Sequence, residues 1–314
     1  MSSRIRPGHK SPKFCRLSQP KLLSFAVMAP PENNAIFLIV CPDQPGLVAT
    51  VSDFIHRNKG NIVDLDQHTD LETQTFLMRI EWELEGFSLD RKELISAFTP
   101  LAKKFQMKFS LRYTAQSMKM AILVSKYRHC LYDLLVRWTL GEIRAEIPLI
   151  LSNHPDLKEV AGHFDIPFQC IPVDPKNKAA SEREQIALLK KHQIDLVVLA
   201  RYMQILSPDF VEEFPDSIIN IHHSFLPSFI GSKPYHQAYA RGVKIIGATS
   251  HYVTADLDQG PIIQQSVTRV SHLDHIEDLI RKGRDQEKTA LAFAVQMHTQ
   301  HRILTYDNKT VVFE

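Results

Sequence analysis

Between Ala35 and Tyr113 the apolar positions spell out six elements. Residues 35–41 (AIFLIVC) form a short apolar run of strand type, stopped by Pro42-Asp43-Gln44-Pro45-Gly46. Leu47, Val48, Val51, Phe54 and Ile55 then recur at helical spacing, and Gly60-Asn61 closes that helix. Residues 61–69 and 75–84 alternate like strands, 89–105 are amphipathic at helical spacing, and 107–113 are a last strand. A βαββαβ order within about 80 residues predicts a ferredoxin-like sandwich.

From Met118 the rhythm changes. Residues 118–124, 145–152, 168–171 and 196–200 read as short apolar strands, with helices over 131–138, 156–164 and 182–192. Such alternation predicts a parallel sheet covered on both faces, with ligands bound beyond the carboxyl ends of the strands. After a strand at 218–221 come strands at 244–252 and 261–268, a long helix from about 275 to 300 and a hairpin around Asp307-Asn308. The expected fold class is therefore α/β. A ferredoxin-like unit over 34–114 precedes a doubly wound, Rossmann-like unit over 117–314.

The first 33 residues fit neither unit. Residues 1–31 contain no acidic side chain, whereas Arg4, Arg6, Lys10, Lys13, Arg16 and Lys21 are basic. Two readings stay open: a mitochondrial or plastid transit peptide, or a disordered basic leader with Met28 as the working start. Five prolines up to Pro31 break the amphipathic helix that an import signal needs and favour the second. Elsewhere, 44% hydrophobic and 23% charged residues exclude a disordered or fibrous chain. A net charge of +2 gives no field for nucleic acid. No apolar run approaches the roughly 20 residues of a membrane span. Cys15, Cys41, Cys130 and Cys170 are scattered without a CxxC pair. They read as reduced thiols of a cytoplasmic protein, not as a disulfide frame or a zinc site.

Candidate chemistry gathers in two stretches. In Ile218-Ile219-Asn220-Ile221-His222-His223-Ser224-Phe225-Leu226-Pro227 an apolar strand runs into polar residues, so Asn220 and His222 share one face at its end and His223 points the other way. A carboxamide beside an imidazole can bind a carbonyl oxygen and move a proton. The second stretch runs from Thr249 to Pro261, where Asp256 and Asp258 follow a strand, and Asp258 is placed to orient a histidine or a water. Each has a plainer reading. Adjacent histidines are often a surface pair, and Asp-Gln-Gly-Pro is ordinary turn chemistry. A metal site of His222, His223, His251 and Asp258 is conceivable, but adjacent histidines on a strand diverge and no HxH or HExxH spacing occurs.

The runs NIHHSFLP and HYVTADLDQGPII resemble the formyltetrahydrofolate-dependent formyl-transfer fold, and CPDQPGLVATVSDFI with GNIVDLDQHTD resembles an ACT domain. An ACT domain before that fold is the layout of the formyltetrahydrofolate deformylase family. FDIPF, the 229–253 run and GRDQEK (283–288) match as well, so the likeness extends from Asn34 to Glu314. The resemblance implies Asn220, His222 and Asp258 as catalytic residues. It also implies folate contacts from Met203, Gln204, Ile205, Leu206, Val253 and Asp256. Gln204 stands where the wider fold family usually has arginine and lacks a fixed charge for a glutamate tail. The implied reaction is hydrolysis of 10-formyltetrahydrofolate to formate and tetrahydrofolate, with formate serving purine synthesis and no metal or other cofactor. Asn220 and His222 would donate to the oxyanion while Asp258 positions and helps deprotonate the water.

Two alternatives remain: formyl transfer to a small acceptor, and a regulatory sensor that merely binds folate. Against transfer, the turn at 125–130, with Ser125, Lys126 and Arg128, has no glycine to form a phosphate-binding nest. The ACT likeness further implies a homo-oligomer and an amino-acid effector, glycine or methionine. That effector would lie at Asp43 and Gly46, with Asn61 contributing across a subunit contact.

Overall fold

The computed structural model describes residues 33–174, 176–227 and 234–314. The basic leader up to residue 32 lies outside the described residues, as does the part of the 229–253 run before Pro234. In the first unit, β1 (Asn34–Pro42), α1 (Leu47–Arg57), β2 (Ile62–Asp70), β3 (Thr75–Glu83), α2 (Arg91–Lys104) and β4 (Lys108–Tyr113) follow in order. Their sheet is antiparallel with the order β2-β3-β1-β4. This is the ferredoxin-like arrangement expected from the pattern. The second helix starts later than its apolar rhythm because Asp90 caps it, accepting from the backbone of Lys92 and Glu93 in a capping box. Phe37 and Ile39 face the helices, where the Phe37 ring stacks 4.4 Å from Phe98 and lies 4.9 Å from Trp82.

The opposite face of that sheet is also covered. Leu38 is buried there, and so is the guanidinium of Arg79, which bonds Asp64 and Glu81 and donates from Nε to the carbonyl of His301 at 3.1 Å. The cover is the C-terminal hairpin of β12 (Ile303–Tyr306) and β13 (Lys309–Val312). Tyr306 Oη and Lys309 Nζ both reach Asp70 Oδ2, at 3.1 and 3.2 Å. Arg302 reaches Asp64 at 3.2 Å.

The second unit carries a seven-stranded sheet of order β11-β10-β9-β8-β5-β6-β7. Its strands are β5 (Met118–Val124), β6 (Ala145–Ser152), β7 (Phe168–Cys170), β8 (Leu196–Leu199), β9 (Ile218–His222), β10 (Ile245–Tyr252) and β11 (Ile262–Arg269). β7, β6, β5, β8 and β9 are parallel, as the apolar runs predict. β10 and β11 are antiparallel additions. Met120, Ile122 and Val124 pack under α3 (His129–Thr139), α4 (Lys158–His163) and α8 (Ile276–Thr299). Ala121 and Leu123 face the other layer, with α5 (Lys178–Lys191) and α6 (Pro208–Glu212). Burial on both faces explains why these strands are apolar throughout. Two short helices, α6 and α7 (Pro234–Arg241), are not visible in the pattern, because five and eight residues give too little periodicity. Among the described residues, no helix is long and apolar enough to cross a membrane.

The seam between the two units has a pH consequence. Burial first, and then nearby positive charge (His301 and Arg112 for His298, Arg112 and Arg79 for His301), lower these two imidazoles from 6.5 to about 3 and about 4 respectively. In the unfolded chain these rings take a proton as pH falls through 6.5, while in the folded chain they stay neutral. The unfolded state therefore binds more protons in that window, and folding stability falls with acidification. Urea unfolding at pH 7.5 and pH 5 should differ by about 2 kcal/mol per histidine, with the loss at pH 5 reduced in His298→Gln and His301→Gln.

Candidate active site

β9 and β10 pair with Asn220 opposite His251 and His222 opposite Thr249. Strand alternation puts these side chains on one face, at the carboxyl end of the last parallel strand. The segment after β10 then folds back over them. Asp258 Oδ2 lies 3.2 Å from His222 Nδ1, and Oδ1 lies 3.7 Å from His251 Nε2. Asn220, His222 and Asp258 thus stand in one site, and His251 joins them. The His251 Nδ1–H donates to the carbonyl of Tyr252 at 2.8 Å, so in the neutral ring Nε2 accepts, at 3.1 Å, from the Asn220 carboxamide. That contact fixes which way the Asn220 amide faces. The link was available in the sequence only to a reader who paired the two strands and saw residue 251 fall opposite 220.

Asp258 occupies the left-handed region at φ 55°, a costly conformation for a residue with a Cβ. Its loop is pinned from several sides. Asn308 in the C-terminal hairpin donates to the carbonyl of Gln259 at 3.0 Å, and Gln259 N reaches Asp256 O at 3.3 Å. A Cβ on Gly260 would collide with the Tyr252 carbonyl, so glycine is required there. Partial burial alone would raise the Asp258 carboxyl. The hydrogen bond from His222 and the neighbouring His251 ring outweigh it and hold the group well below the usual carboxylate range. With Nδ1–H given to Asp258, His222 Nε2 is left buried and without a hydrogen-bond partner among the described residues.

His223 departs from the expectation of pointing away. β9 ends at His222, so alternation stops there, and the His223 ring lies 5.3 Å from that of His222 along the same cleft. Desolvation, reinforced by the charge of Arg201, lowers it to about 4. The cleft holds about 320 Å³ and is walled by Met203, Gln204, Ile205 and Leu206 on one side and Val253 and Leu257 on the other. Met203, Ile205 and Leu257 are exposed at its mouth, so the opening is apolar. Asp256 is outside this wall. It contributes its backbone carbonyl to the loop and its side chain lies in solvent. Met203 is anchored by its amide, which donates to Ser125 Oγ at 3.0 Å, and that hydroxyl donates to Asn153 at 2.6 Å.

Behind His223 lies a buried ionic network that the residue pattern did not disclose. Both oxygens of Glu287 are engaged: Oε1 accepts from Tyr235 Oη at 2.8 Å, and Oε2 contacts His129 Nε2 at 2.7 Å. Arg201 Nε lies 3.4 Å from Oε2, with its guanidinium 5.1 Å over the Tyr127 ring. Burial pushes the Glu287 carboxyl up, but His129, Arg201 and Tyr235 bring it down on balance. Gly283, one turn earlier on α8, is where a Cβ would strike the Tyr235 phenol. The GRDQEK run thus owes its glycine to space and its glutamate to charge. His129, Cys130 and Glu287 also bring ligand-type atoms within 4.8 Å of one another, but the Arg201 charge already neutralises this carboxylate. Lys126 and Arg128 stand exposed on the turn before α3.

The residues expected to hold an effector are separate within one chain. Gly46 starts α1 at φ 91° and Asp43 is exposed beside it, after the end of β1. Asn61 bonds Glu83 at 2.7 Å, and Glu83 pairs with Asn34 at the beginning of β1.

Comparison with known proteins follows this division. A family model described as formyl transferase matches residues 118–295, and one described as ACT domain matches 35–101. A formyltetrahydrofolate deformylase of Synechocystis sp. is 58% identical over 280 residues, covering 89% of this chain and 98% of the relative. One from Bacillus subtilis is 46% identical over 283 residues, covering 90% and 94%. The crystal structure of a formyltetrahydrofolate deformylase from Pseudomonas syringae superposes with a TM-score of 0.88 at 47% identity, over 90% of this chain and 95% of that one. A glycinamide ribonucleotide transformylase from Symbiobacterium toebii aligns at 0.60 and 28%, over 65% of this chain and 98% of that one. An N-terminal ACT domain joined to a formyl transferase domain, matched along nearly the whole length of these relatives, shows that the chain belongs to the formyltetrahydrofolate deformylase family.

Proposed function

We propose that the protein hydrolyses 10-formyltetrahydrofolate to formate and tetrahydrofolate. The observation that carries this is the pairing of His222 with Asp258, which leaves Nε2 of a buried imidazole unoccupied at the wall of an apolar cleft. The folate ring system enters between the 203–206 stretch and Val253, and its formyl group meets Asn220 and His222. Asp258 is held too far below the ordinary range to be an effective final proton acceptor at neutral pH. Its role is to fix the Nδ1–H tautomer of His222 and to stabilise the imidazolium.

His222 Nε2 takes a proton from the attacking water as the new C–O bond forms. The free amide hydrogen of Asn220 meets the developing oxyanion. The C–N bond then breaks, and the leaving nitrogen receives the proton from His222. Formate dissociates from its acid. The residues supply this proton transfer without a metal ion.

Water as nucleophile, against transfer to a second substrate, is supported by what surrounds the site. The turn at 125–130 commits Ser125 to Met203 and His129 to Glu287, and the space behind His223 is taken by Arg201, Glu287 and Tyr235. We place the enzyme in the cytoplasm, with the ACT domain adjusting its rate as a homo-oligomer.

Purified protein given formyltetrahydrofolate alone should release formate; absence of formate without an added acceptor would refute hydrolysis. Asp258→Asn and His222→Ala should each lower turnover by at least ~10²-fold with little change in folding, and wild-type rates from either would refute the assignment. With labelled formyl donor and millimolar glycinamide ribonucleotide, all label should appear as formate. Stoichiometric formylated acceptor would establish a transferase instead. Glu287→Ala should destabilise by about 3–5 kcal/mol, because it leaves the Arg201 charge buried without its partner; thermal unfolding checks this.

A further inference from the structure

Arg201 follows β8, beyond the carboxyl end of a parallel strand, where a doubly wound sheet binds its ligands. Its backbone is left-handed at φ 63°, a costly conformation for a residue with a Cβ. The residue is only 8% exposed, yet it lines the same cleft as Asn220, His222 and His223.

A guanidinium carries five N–H donors in a planar fork. Among the described residues none of the five makes a hydrogen bond: Nε is buried without a partner, and Glu287 Oε2 stands 3.4 Å from it. That oxygen already contacts His129 at 2.7 Å, while Oε1 accepts from Tyr235 at 2.8 Å. Glu287 thus balances the charge of Arg201 without using its donors. The Tyr127 ring, 5.1 Å below the guanidinium carbon, covers one face of the fork and leaves its edge open. A buried charged donor without acceptors carries a desolvation cost that a carboxylate in the fork would relieve.

Two carboxylates come into question, the glutamate tail of the folate and the formate that hydrolysis makes. The tail leaves through the mouth of the cleft, where Met203 is 51% exposed and Ile205 and Leu257 are exposed beside it. Arg201 is buried next to His223, and its charge reaches that ring. Desolvation and that charge keep His223 neutral at pH 7, so it can donate one N–H without adding charge. The His223 ring lies 5.3 Å from that of His222, beside which the formate forms.

We propose that Arg201 and His223 form a monocarboxylate subsite that takes up the formate made at His222, separate from the folate contacts along 203–206. Both formate oxygens lie in the guanidinium fork, and one of them also accepts from His223. This rests on the hydrolysis proposed above, because only hydrolysis makes a free carboxylate at this place. Moving formate onto Arg201 clears His222 Nε2 for the next water.

Calorimetry on the full chain without folate tests the subsite, with sodium formate as probe and formamide and sodium chloride as controls at equal ionic strength. Formate should bind saturably, and both controls at least about tenfold more weakly. The ¹⁵N-histidine signal of His223, assigned with His223→Gln, should shift with formate and not with formamide. Arg201→Gln should weaken formate binding at least about tenfold, and Arg201→Lys, which keeps the charge but loses the fork, should fall between that variant and the unaltered chain. p-Aminobenzoylglutamate, which carries the folate tail, should not displace formate.

Neither heat nor a His223 shift at hundreds of millimolar formate would overturn the subsite. So would formate binding that survives Arg201→Gln. Formamide equalling formate would overturn the carboxylate class, and displacement by p-aminobenzoylglutamate would give Arg201 to the folate tail instead. If Arg201→Gln does not fold, the His223 shift in the unaltered chain decides. Binding is read without turnover, so the two claims fail separately. Formate binding by a protein that releases no formate would refute the reaction, and formate release without formate binding would refute the subsite.

Discussion

The hydrogen bond from His222 Nδ1–H to the Asp258 carboxylate, at 3.2 Å, sets what the rest of the catalytic domain must supply. A partly buried carboxylate is stable only with compensating donors, and an imidazole can act from Nε2 only if Nδ1 keeps its proton. Both needs are met by the same contact. Meeting them obliges the chain to hold Asp258 in a left-handed conformation, and the surrounding loop is built to do so. Gly260 lets the backbone approach Tyr252, and Asn308 ties Gln259 from the far end of the sequence.

That last tie connects chemistry to domain architecture. The C-terminal hairpin reaches Gln259 beside the catalytic carboxylate, and through Tyr306 and Lys309 it also bonds Asp70 at the end of β2. The N-terminal sheet therefore packs on the element that steadies the Asp258 loop. On the other side of the cleft, Arg201 and Glu287 form a buried ion pair, a construction that contributes little net stability when intact but is costly to break from one side. Glu287 contacts three partners, His129, Tyr235 and Arg201, and together they fill the space behind His223.

Much of this was legible in the sequence where local rules govern. The six elements of the first unit followed from periodicity, and uninterrupted apolar strands such as 118–124 revealed a sheet buried on both faces. Asn220 and His222 could be read because a strand visibly ends beside them. What failed was whatever depends on pairing between distant segments. The antiparallel β10 was not foreseen as such, so His251 remained one histidine among fifteen rather than the neighbour of Asn220. His223 was misplaced because strand geometry was extended one residue too far. Arg201 and Glu287 are 86 positions apart, and no spacing rule connects them. Of the two carboxylates after β10, only Asp258 meets the imidazoles, and the left-handed conformation that turns it toward them has no signature in the sequence.

If His222 and Asp258 handle the proton as one unit, their contributions to turnover are not independent. A double-mutant cycle on formate release, using His222→Ala, Asp258→Asn and the two combined, measures this directly. The doubly substituted enzyme should be about as slow as the slower single variant, because Asp258 acts through the imidazole that is already gone. Losses that multiply would mean that Asp258 acts on water or substrate by itself, contradicting the role assigned to the His222–Asp258 hydrogen bond.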